Sequence, residues 1–156
     1  MPYHYSGNTQ HHIKTLLCEY LADTAIVYYK THGFHWNVEG SNFYSIHLMF
    51  EKLYTTLWES MDETAEHLRT LGEKAPSSYA ELLKLASIEE TQTAPLSSIM
   101  VQVLRDDYIT LSKKAYEVIA YAESQKDMAT VDMMSKHTAF LEKACWMLKA
   151  QSVNNF

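Results

Sequence analysis

The segment His35-Trp36-Asn37-Val38-Glu39-Gly40-Ser41-Asn42-Phe43 lies between two long stretches in which apolar residues recur at every third or fourth position. The first stretch covers about residues 9–37, and the second ends at Gly72, with Ser41 or Asn42 as its predicted N-cap. Apolar side chains at this spacing form one face of a helix. We therefore predict that the segment contains the turn of a helical hairpin.

Three further helical segments are predicted after this hairpin. They are a short one over 77–86, a long one with Pro95 in its first turn, and a last one after the polar break at 124–127. Two helix pairs joined by a longer middle connection are typical of an all-α fold, the four-helix bundle of ferritin-like topology, here with a short extra helix in the connection.

The length and composition of the chain predict one globular domain. The chain has 156 residues, 47% of them hydrophobic and 21% charged, which is enough to bury a core without disulfides. Only 4 Gly and 3 Pro are present, whereas β-sandwiches and barrels need turn residues more often. The predicted domain covers 9–150, between a short flexible tail at 1–8 and a short tail at 151–156.

Charge and hydropathy argue against several function classes. The 13 basic and 19 acidic residues give a net charge of −6, the wrong sign for a general nucleic-acid binder. No stretch approaches the roughly 18–20 consecutive apolar residues of a membrane span, and no secretory signal pattern is visible, so we expect a cytoplasmic protein. Cys18 and Cys145 are 127 positions apart and are predicted to be reduced thiols packed in helix faces.

Five side chains on the hairpin are candidate metal ligands. His35 and His47 fall on the apolar faces of the two helices, Glu51 lies one turn after His47, and Asp62 and Glu66 are likewise one turn apart. Imidazoles and carboxylates suit Fe(II), and also Zn(II), Mn(II) or Co(II). Considered singly, each residue has an ordinary explanation, as a hydrogen-bonded core histidine or as a solvated charge.

The spacing of these residues indicates a site shared between two copies of the chain. His47 and Asp62 are 15 residues apart on one helix, a rise of about 22 Å, whereas ligands lie about 2 Å from their metal. If two copies pack their second helices antiparallel, His47 and Glu51 of one copy meet Asp62 and Glu66 of the other. With His35 added, this geometry gives two equivalent sites per dimer.

The same residues resemble a known family. The match rests on the segment 35–43 and on the spacing of 12, 15 and 4 between His35, His47, Asp62 and Glu66. Other matching positions and segments are Phe50, Tyr54, Ala65, Glu73-Lys74-Ala75-Pro76, Leu85-Ala86-Ser87-Ile88-Glu89-Glu90 and Glu142-Lys143-x-x-Trp146-Met147. Together they resemble the Dps family, the mini-ferritins named as DNA-binding proteins from starved cells.

The resemblance implies a hollow homododecamer that oxidises Fe(II), usually with hydrogen peroxide, stores the ferric mineral and protects the cell from oxidative damage. It implies that His35, His47, Asp62 and Glu66 are the ferroxidase ligands, between two-fold-related subunits, with Zn(II) or another divalent ion as a possible occupant. Glu51 stands where the family often has an acidic residue. Trp36, next to His35, is expected to intercept stray oxidising equivalents, and packing at the interface is its alternative role.

Three further positions are singled out by the comparison with the family. Asp127 and Asp132 resemble acidic residues that line the family's iron-entry pores, although charges that favour a helix N-terminus explain them equally well. Where most members carry a basic Arg, this chain has His67, so a charge at this position would depend on pH.

Binding and protection of DNA, with little iron chemistry, is the rival function, and would make the protein nucleoid-associated. The chain has no Lys or Arg before Lys14, so DNA binding is predicted to be weak or absent at neutral pH. His4, His11 and His12 precede Lys14 and would gain charge below about pH 6.5, where some binding is expected. A helical interaction protein without metal chemistry is the third possibility.

Overall fold

The computed structural model describes residues 5–153, and all the regular secondary structure of this part of the chain is α-helical. The described elements are α1 (Asn8–Asn37), α2 (Phe43–Thr70), α3 (Tyr79–Leu85), α4 (Ser97–Ser124) and α5 (Met128–Ser152). The predicted all-α fold, with four long helices and one short helix in the middle connection, is confirmed.

Side-chain contacts fix the relative directions of the long helices. His35 of α1 contacts His47 of α2, and Gln10 at the other end of α1 bonds the carbonyl of Leu71, so α1 and α2 are antiparallel. Lys30, late in α1, contacts Asp107, early in α4. Thr9, at the start of α1, contacts Tyr121, near the end of α4, so α1 and α4 are antiparallel as well. Contacts of α2 with α5 join Glu63 to His137 and His67 to Thr130, again with opposite directions. The long helices therefore form a four-helix bundle in which 71–96 is the long crossover connection.

The core of the bundle is filled by large aliphatic and aromatic side chains that recur at helical spacing. Burying each such side chain contributes about 1.5–3 kcal/mol, which is the main stabilising term for helices of this length. None of the helices in 5–153 combines the length and the apolar character needed to cross a bilayer. Fully buried examples are Ile13, Leu17, Tyr20, Phe50, Leu53, Leu57, Leu104, Tyr108, Leu111, Met134 and Leu148.

A buried carboxylate attaches the crossover to the bundle. Asp23 of α1 is fully buried, and its Oδ1 accepts hydrogen bonds from the backbone N–H groups of Ser87 and Ile88 at 2.7 and 2.8 Å. Its Oδ2 accepts from the Ser87 hydroxyl at 2.9 Å and from Lys114 Nζ at 2.7 Å. One side chain thus joins α1, the crossover and α4, and its buried charge is compensated by these partners.

The structure differs from the sequence-based expectations at element ends. Pro95 lies before α4, which begins at Ser97, because Leu96 is extended and its carbonyl accepts the first N–H bonds of the helix. In the predicted amino-terminal tail, Tyr5 is buried and α1 already begins at Asn8. In the carboxy-terminal tail, α5 continues to Ser152. Residues 1–4, including His4, and 154–156 lie outside the described residues.

Asp127 is the N-cap of α5, and its side chain also binds the hydroxyl of Tyr5. Its Oδ1 accepts a hydrogen bond from the N–H of Thr130 at 3.1 Å, which is an N-cap interaction. Its Oδ2 accepts from the Tyr5 hydroxyl at 2.9 Å and from the Thr130 hydroxyl. Burial raises the pKa of Asp127, but the bonds from Thr130 and Tyr5 outweigh burial and hold this pKa below its usual value.

We predict that Asp127→Ala lowers the free energy of unfolding by about 1–2 kcal/mol at neutral pH, because it removes the N-cap of α5. A depressed pKa stabilises the folded state above the pKa of the unfolded state. The difference in the free energy of unfolding between variant and wild type should therefore shrink as pH falls below about 4. Thermal melts across this pH range measure it. Asp132→Ala, at an exposed position of the same helix, is the control, and an equal loss in both variants would contradict the capping role.

Candidate metal centre

The two candidate histidines face each other across the α1–α2 turn. His35 Nδ1 lies 2.8 Å from the backbone carbonyl oxygen of His47, and His47 Nδ1 lies 2.8 Å from that of His35. Because a carbonyl oxygen only accepts hydrogen bonds, each Nδ1 carries a proton and donates it. His35 belongs to the last turn of α1, where carbonyl groups lack a partner within the helix. The hydrogen bond from His47 satisfies one of them.

This pairing leaves both Nε2 atoms as potential metal ligands. A neutral imidazole that is protonated on Nδ1 has its lone pair on Nε2, the arrangement that a second-shell carbonyl commonly imposes on a ligand histidine. The two rings are stacked, with centroids 3.7 Å apart and planes 15° from parallel. His35 is only 8% exposed, and Phe43 packs on the His47 ring at 5.0 Å. The sequence predicted these two residues, and the structure brings them together.

The candidate carboxylates do not join the histidines within one chain. Asp62 and Glu66 are exposed on the far half of α2, and Glu51 is exposed one turn after His47. The 15 residues from His47 to Asp62 correspond to a rise of about 22 Å along α2. Among residues 5–153 of a single chain, no three His, Cys, Asp or Glu side chains form a group able to hold a metal ion. The structure thus provides a histidine pair at one end of α2 and a carboxylate pair towards the other.

The carboxylate pair lies beside an apolar surface that a single chain leaves uncovered. Asp62 lines an open groove between α2 and α3, together with Trp58 and Tyr79. Trp58 is 53% exposed and Tyr79 is 79% exposed. Tyr79 also lines the adjoining groove with Tyr29 of α1. Large exposed aromatic side chains concentrated around a carboxylate are typical of a contact surface.

An aromatic cluster surrounds the histidine pair on the α1 side. His32 stacks on Tyr54 at 3.9 Å between centroids and packs on Trp36 at 4.3 Å. The hydroxyl of Tyr28 lies 3.2 Å from His32 Nδ1, and burial lowers the pKa of His32. Trp36 itself is 56% exposed. His32 was not among the residues predicted from the sequence, although its position three residues before His35 places both on one side of α1.

The two candidate pore residues have different environments. Asp127 is 2% exposed, and its oxygens are occupied by Tyr5 and Thr130. This carboxylate therefore caps the N-terminus of α5. The structure favours this role at a helix N-terminus over the expectation that Asp127 lines a pore. Asp132 is exposed one turn further along α5 and remains free to face a pore.

His67 does not supply a permanent positive charge. Its Nε2 lies 2.7 Å from the hydroxyl oxygen of Thr130, which itself donates to Asp127. That oxygen therefore accepts a hydrogen bond from His67 Nε2. Burial lowers the pKa of His67, and the nearby charge of Asp127 opposes this only in part. His67 is thus neutral near pH 7, unlike the Arg that the resemblance leads one to expect.

Comparisons with known proteins support the ferritin-like helical fold. A family model described as a ferritin-like domain matches residues 14–154. The DNA protection during starvation protein of Brevibacillus brevis is 35% identical over 138 residues, which cover 88% of this chain and 93% of that protein.

Two solved structures are similar over almost their whole length. The Dps protein from Bacillus brevis has a TM-score of 0.89 and 34% identity, and the match covers 94% of this chain and 98% of that one. The Dps protein from Vibrio cholerae O1, described as a member of a broad superfamily of ferritin-like diiron-carboxylate proteins, has a TM-score of 0.88 and 31% identity, over 92% and 90% of the two chains. With the bundle, its crossover helix and the paired histidines, these matches show that the chain belongs to the Dps family of ferritin-like proteins.

Proposed function

We propose that the protein is a ferroxidase and iron-storage mini-ferritin that oxidises Fe(II) with hydrogen peroxide at a site shared by two subunits. The observation that carries this proposal is the reciprocal hydrogen bonding of His35 and His47. It prepares two Nε2 lone pairs side by side, with both ring orientations fixed before any ion arrives.

The donor set fits Fe(II) as the substrate. Two imidazoles from one subunit, with Asp62 and Glu66 from the other, form a mixed nitrogen and oxygen set that suits a borderline divalent ion. Glu51, exposed one turn from His47, adds a carboxylate on the histidine side. Few protein ligands per ion leave positions for an oxidant. Two Fe(II) ions and one hydrogen peroxide yield two Fe(III) ions and two hydroxide ions, so a centre that holds both ions releases no hydroxyl radical.

A second copy of the chain is the proposed cover of the aromatic surface. Trp58 and Tyr79 line the groove that contains Asp62, so a subunit that packs there approaches the carboxylates directly. An antiparallel arrangement of two α2 helices brings the partner's histidine pair to this groove and buries the exposed aromatics. Both effects favour the same isologous dimer.

Membership of the Dps family supports a proposal for the larger assembly and the cellular setting. We propose a hollow homododecamer of six such dimers, with ferric mineral stored inside and Asp132 available to line an entry pore. The net charge of −6 per chain attracts cations to the shell. Consistent with this, the similar Vibrio cholerae protein is described as belonging to the ferritin-like diiron-carboxylate proteins. The proposed location is the bacterial cytoplasm, where the protein limits oxidative damage.

Trp36 is proposed to protect the site from one-electron oxidants. Its ring lies 4.3 Å from His32 and in edge contact with Tyr29 at 6.2 Å. His32 in turn lies 6.1 Å from the His35 ring, so Trp36 belongs to the aromatic cluster beside the histidine pair. Burial of its exposed face by the second subunit serves the interface at the same time.

We predict that His35→Ala slows the rise in ferric absorbance, after anaerobic Fe(II) is mixed with peroxide, by at least about tenfold, because one Nε2 ligand is lost. Co(II) binding, followed by its visible spectrum, should weaken in parallel. Zn(II), which has no redox chemistry, should inhibit by occupying the same ligands. His11→Ala, at an exposed position of α1, is the matched control. An unchanged rate in His35→Ala would remove this residue from the site.

We predict that a tagged mixed dimer, with His47→Ala in one chain and Asp62→Ala in the other, retains one of its two sites. In a shared site, both substitutions fall on the same centre and the other centre keeps a complete ligand set. In a site within one chain, each chain would lose its own centre. Co(II) stoichiometry and the amplitude of iron oxidation, each compared with the wild-type dimer, measure this. Loss of both sites contradicts the shared centre.

DNA binding is the second candidate function, since the similar Brevibacillus brevis protein is named for DNA protection. We predict little retention of DNA in gel-shift experiments at about pH 7.5 and low salt, and more at about pH 6, where histidines gain charge. His11 and His12 are exposed near the start of α1, so replacing both by Ala should weaken the pH effect. Strong retention at the higher pH would favour the DNA-binding function.

A further inference from the structure

A tyrosine, a histidine and a glutamate form a chain of hydrogen bonds in the interior of the bundle. The Tyr20 hydroxyl of α1 lies 3.3 Å from His137 Nδ1 of α5, and His137 Nε2 lies 2.9 Å from Glu63 Oε2 of α2. Tyr20 and His137 are 1% and 2% exposed. Glu63 reaches solvent on its other side, where Lys136 Nζ lies 2.6 Å from its Oε1. No ligand of the proposed iron site belongs to this chain of bonds.

The protonation of the chain of bonds follows from its partners. Lys136 Nζ, which can only donate, lies 2.6 Å from Glu63 Oε1, so Glu63 is an ion-paired carboxylate and can only accept. His137 must then carry its proton on Nε2. Burial lowers the pKa of His137, and the opposing effect of Glu63 is smaller, so the ring is neutral near pH 7. Its Nδ1 holds a lone pair and accepts the hydrogen bond of the Tyr20 hydroxyl.

A phenol held in this way is prepared to lose an electron and a proton together. Burial raises the pKa of Tyr20, so the phenol stays protonated at neutral pH. Removing only an electron would leave a cation in an apolar interior, which is costly. Transfer of the proton to His137 Nδ1 avoids this cost, and the resulting imidazolium is held by the Glu63 carboxylate. Glu63 is a carboxylate both before and after this proton transfer.

We propose that Tyr20 is a redox-active tyrosine that donates one electron to hydroxyl radical. This radical forms when a site that holds a single Fe(II) ion, instead of a pair, reduces hydrogen peroxide by one electron to Fe(III), hydroxide and hydroxyl radical. The O–H bond of Tyr20 breaks, an N–H bond forms at His137 Nδ1, and the electron reduces the hydroxyl radical to hydroxide. A later Fe(II) ion returns the electron and becomes Fe(III), while the proton moves back from His137 to Tyr20. This inference rests on the proposed iron chemistry, which supplies both the oxidant and the reductant.

The position of the triad supports its connection to the iron site. Glu63 directly follows Asp62 on α2, a Cα separation of about 3.8 Å, and Tyr20 is joined to Glu63 through His137 alone. Trp36 lies on the exposed aromatic surface, whereas Tyr20 lies in the closed interior of the subunit that supplies the carboxylates. An oxidant that takes an electron from this interior therefore oxidises Tyr20, which has His137 as its proton acceptor. The surrounding aliphatic side chains are not oxidised.

Tyr108 provides a matched control within the same core. It is also fully buried, but its hydroxyl has no hydrogen-bond partner among the described residues. A buried phenol without a proton acceptor is a poor electron donor for the reason given above. Tyr108→Phe and Tyr20→Phe each remove one buried hydroxyl, so they differ mainly in whether a base is present.

The test mixes the anaerobic full chain, loaded with less Fe(II) than its sites can hold, with a limited amount of hydrogen peroxide and freezes it within milliseconds for electron paramagnetic resonance. We expect a tyrosyl radical in the wild type and in Tyr108→Phe, and none in Tyr20→Phe. His137→Gln keeps an acceptor for the Tyr20 hydroxyl but removes the base, so its radical yield should fall by about tenfold or more. Thermal melts and gel filtration confirm folding, and His137→Gln alone decides the matter if Tyr20→Phe fails to fold.

Ferric absorbance, recorded on the same samples, separates the two proposals. Rapid ferric formation with a tyrosyl signal that persists in Tyr20→Phe overturns the role of Tyr20 and leaves the ferroxidase intact. Ferric formation without any tyrosyl signal in the wild type does the same. Absence of ferric formation in the wild type overturns both proposals, since the oxidant is then not produced.

Discussion

The candidate centre depends on the reciprocal hydrogen bonds between His35 and His47. These two bonds close the α1–α2 hairpin, satisfy a carbonyl in the last turn of α1, and select the tautomer of both rings. One interaction therefore serves folding and ligand preparation together. A substitution of either histidine changes the shape of the turn as well as the number of ligands, so metal affinity and the geometry of the hairpin are coupled.

The long helices and the histidine pair were predictable because both leave local signals in the sequence. Apolar spacing of three and four residues defines α1, α2, α4 and α5, and the turn between the histidines is short enough to bring them together. Helix rise alone separates Asp62 from His47 and points to a second chain. The predicted boundaries failed where a local signal was weak, as at Pro95, which precedes α4 by two residues.

Apart from His35, the buried polar groups were not predictable, and the reason is physical. Patterns of hydrophobicity treat Asp, Glu and His as surface residues, yet Asp23, Asp127 and His137 are all buried. Each is stabilised by a partner that is far away in the sequence, so no local window contains both. Asp23 accepts bonds from Ser87 and Lys114, and Asp127 accepts one from Tyr5. Such pairs become apparent only when the helices are placed beside each other, because burial of a charge is tolerable only with its partner present.

The tie between Asp23 and the crossover has a consequence for the order of assembly. The crossover bonds Asp23 of α1, and Lys114 of α4 compensates the charge of the same carboxylate, so the docked crossover is best stabilised when α1 and α4 lie together. Docking also places α3, with the exposed Tyr79, against α1. A chain with an incomplete bundle thus lacks part of the surface on which a second copy would pack. In the proposed assembly, completion of the subunit fold would therefore precede association with a second copy.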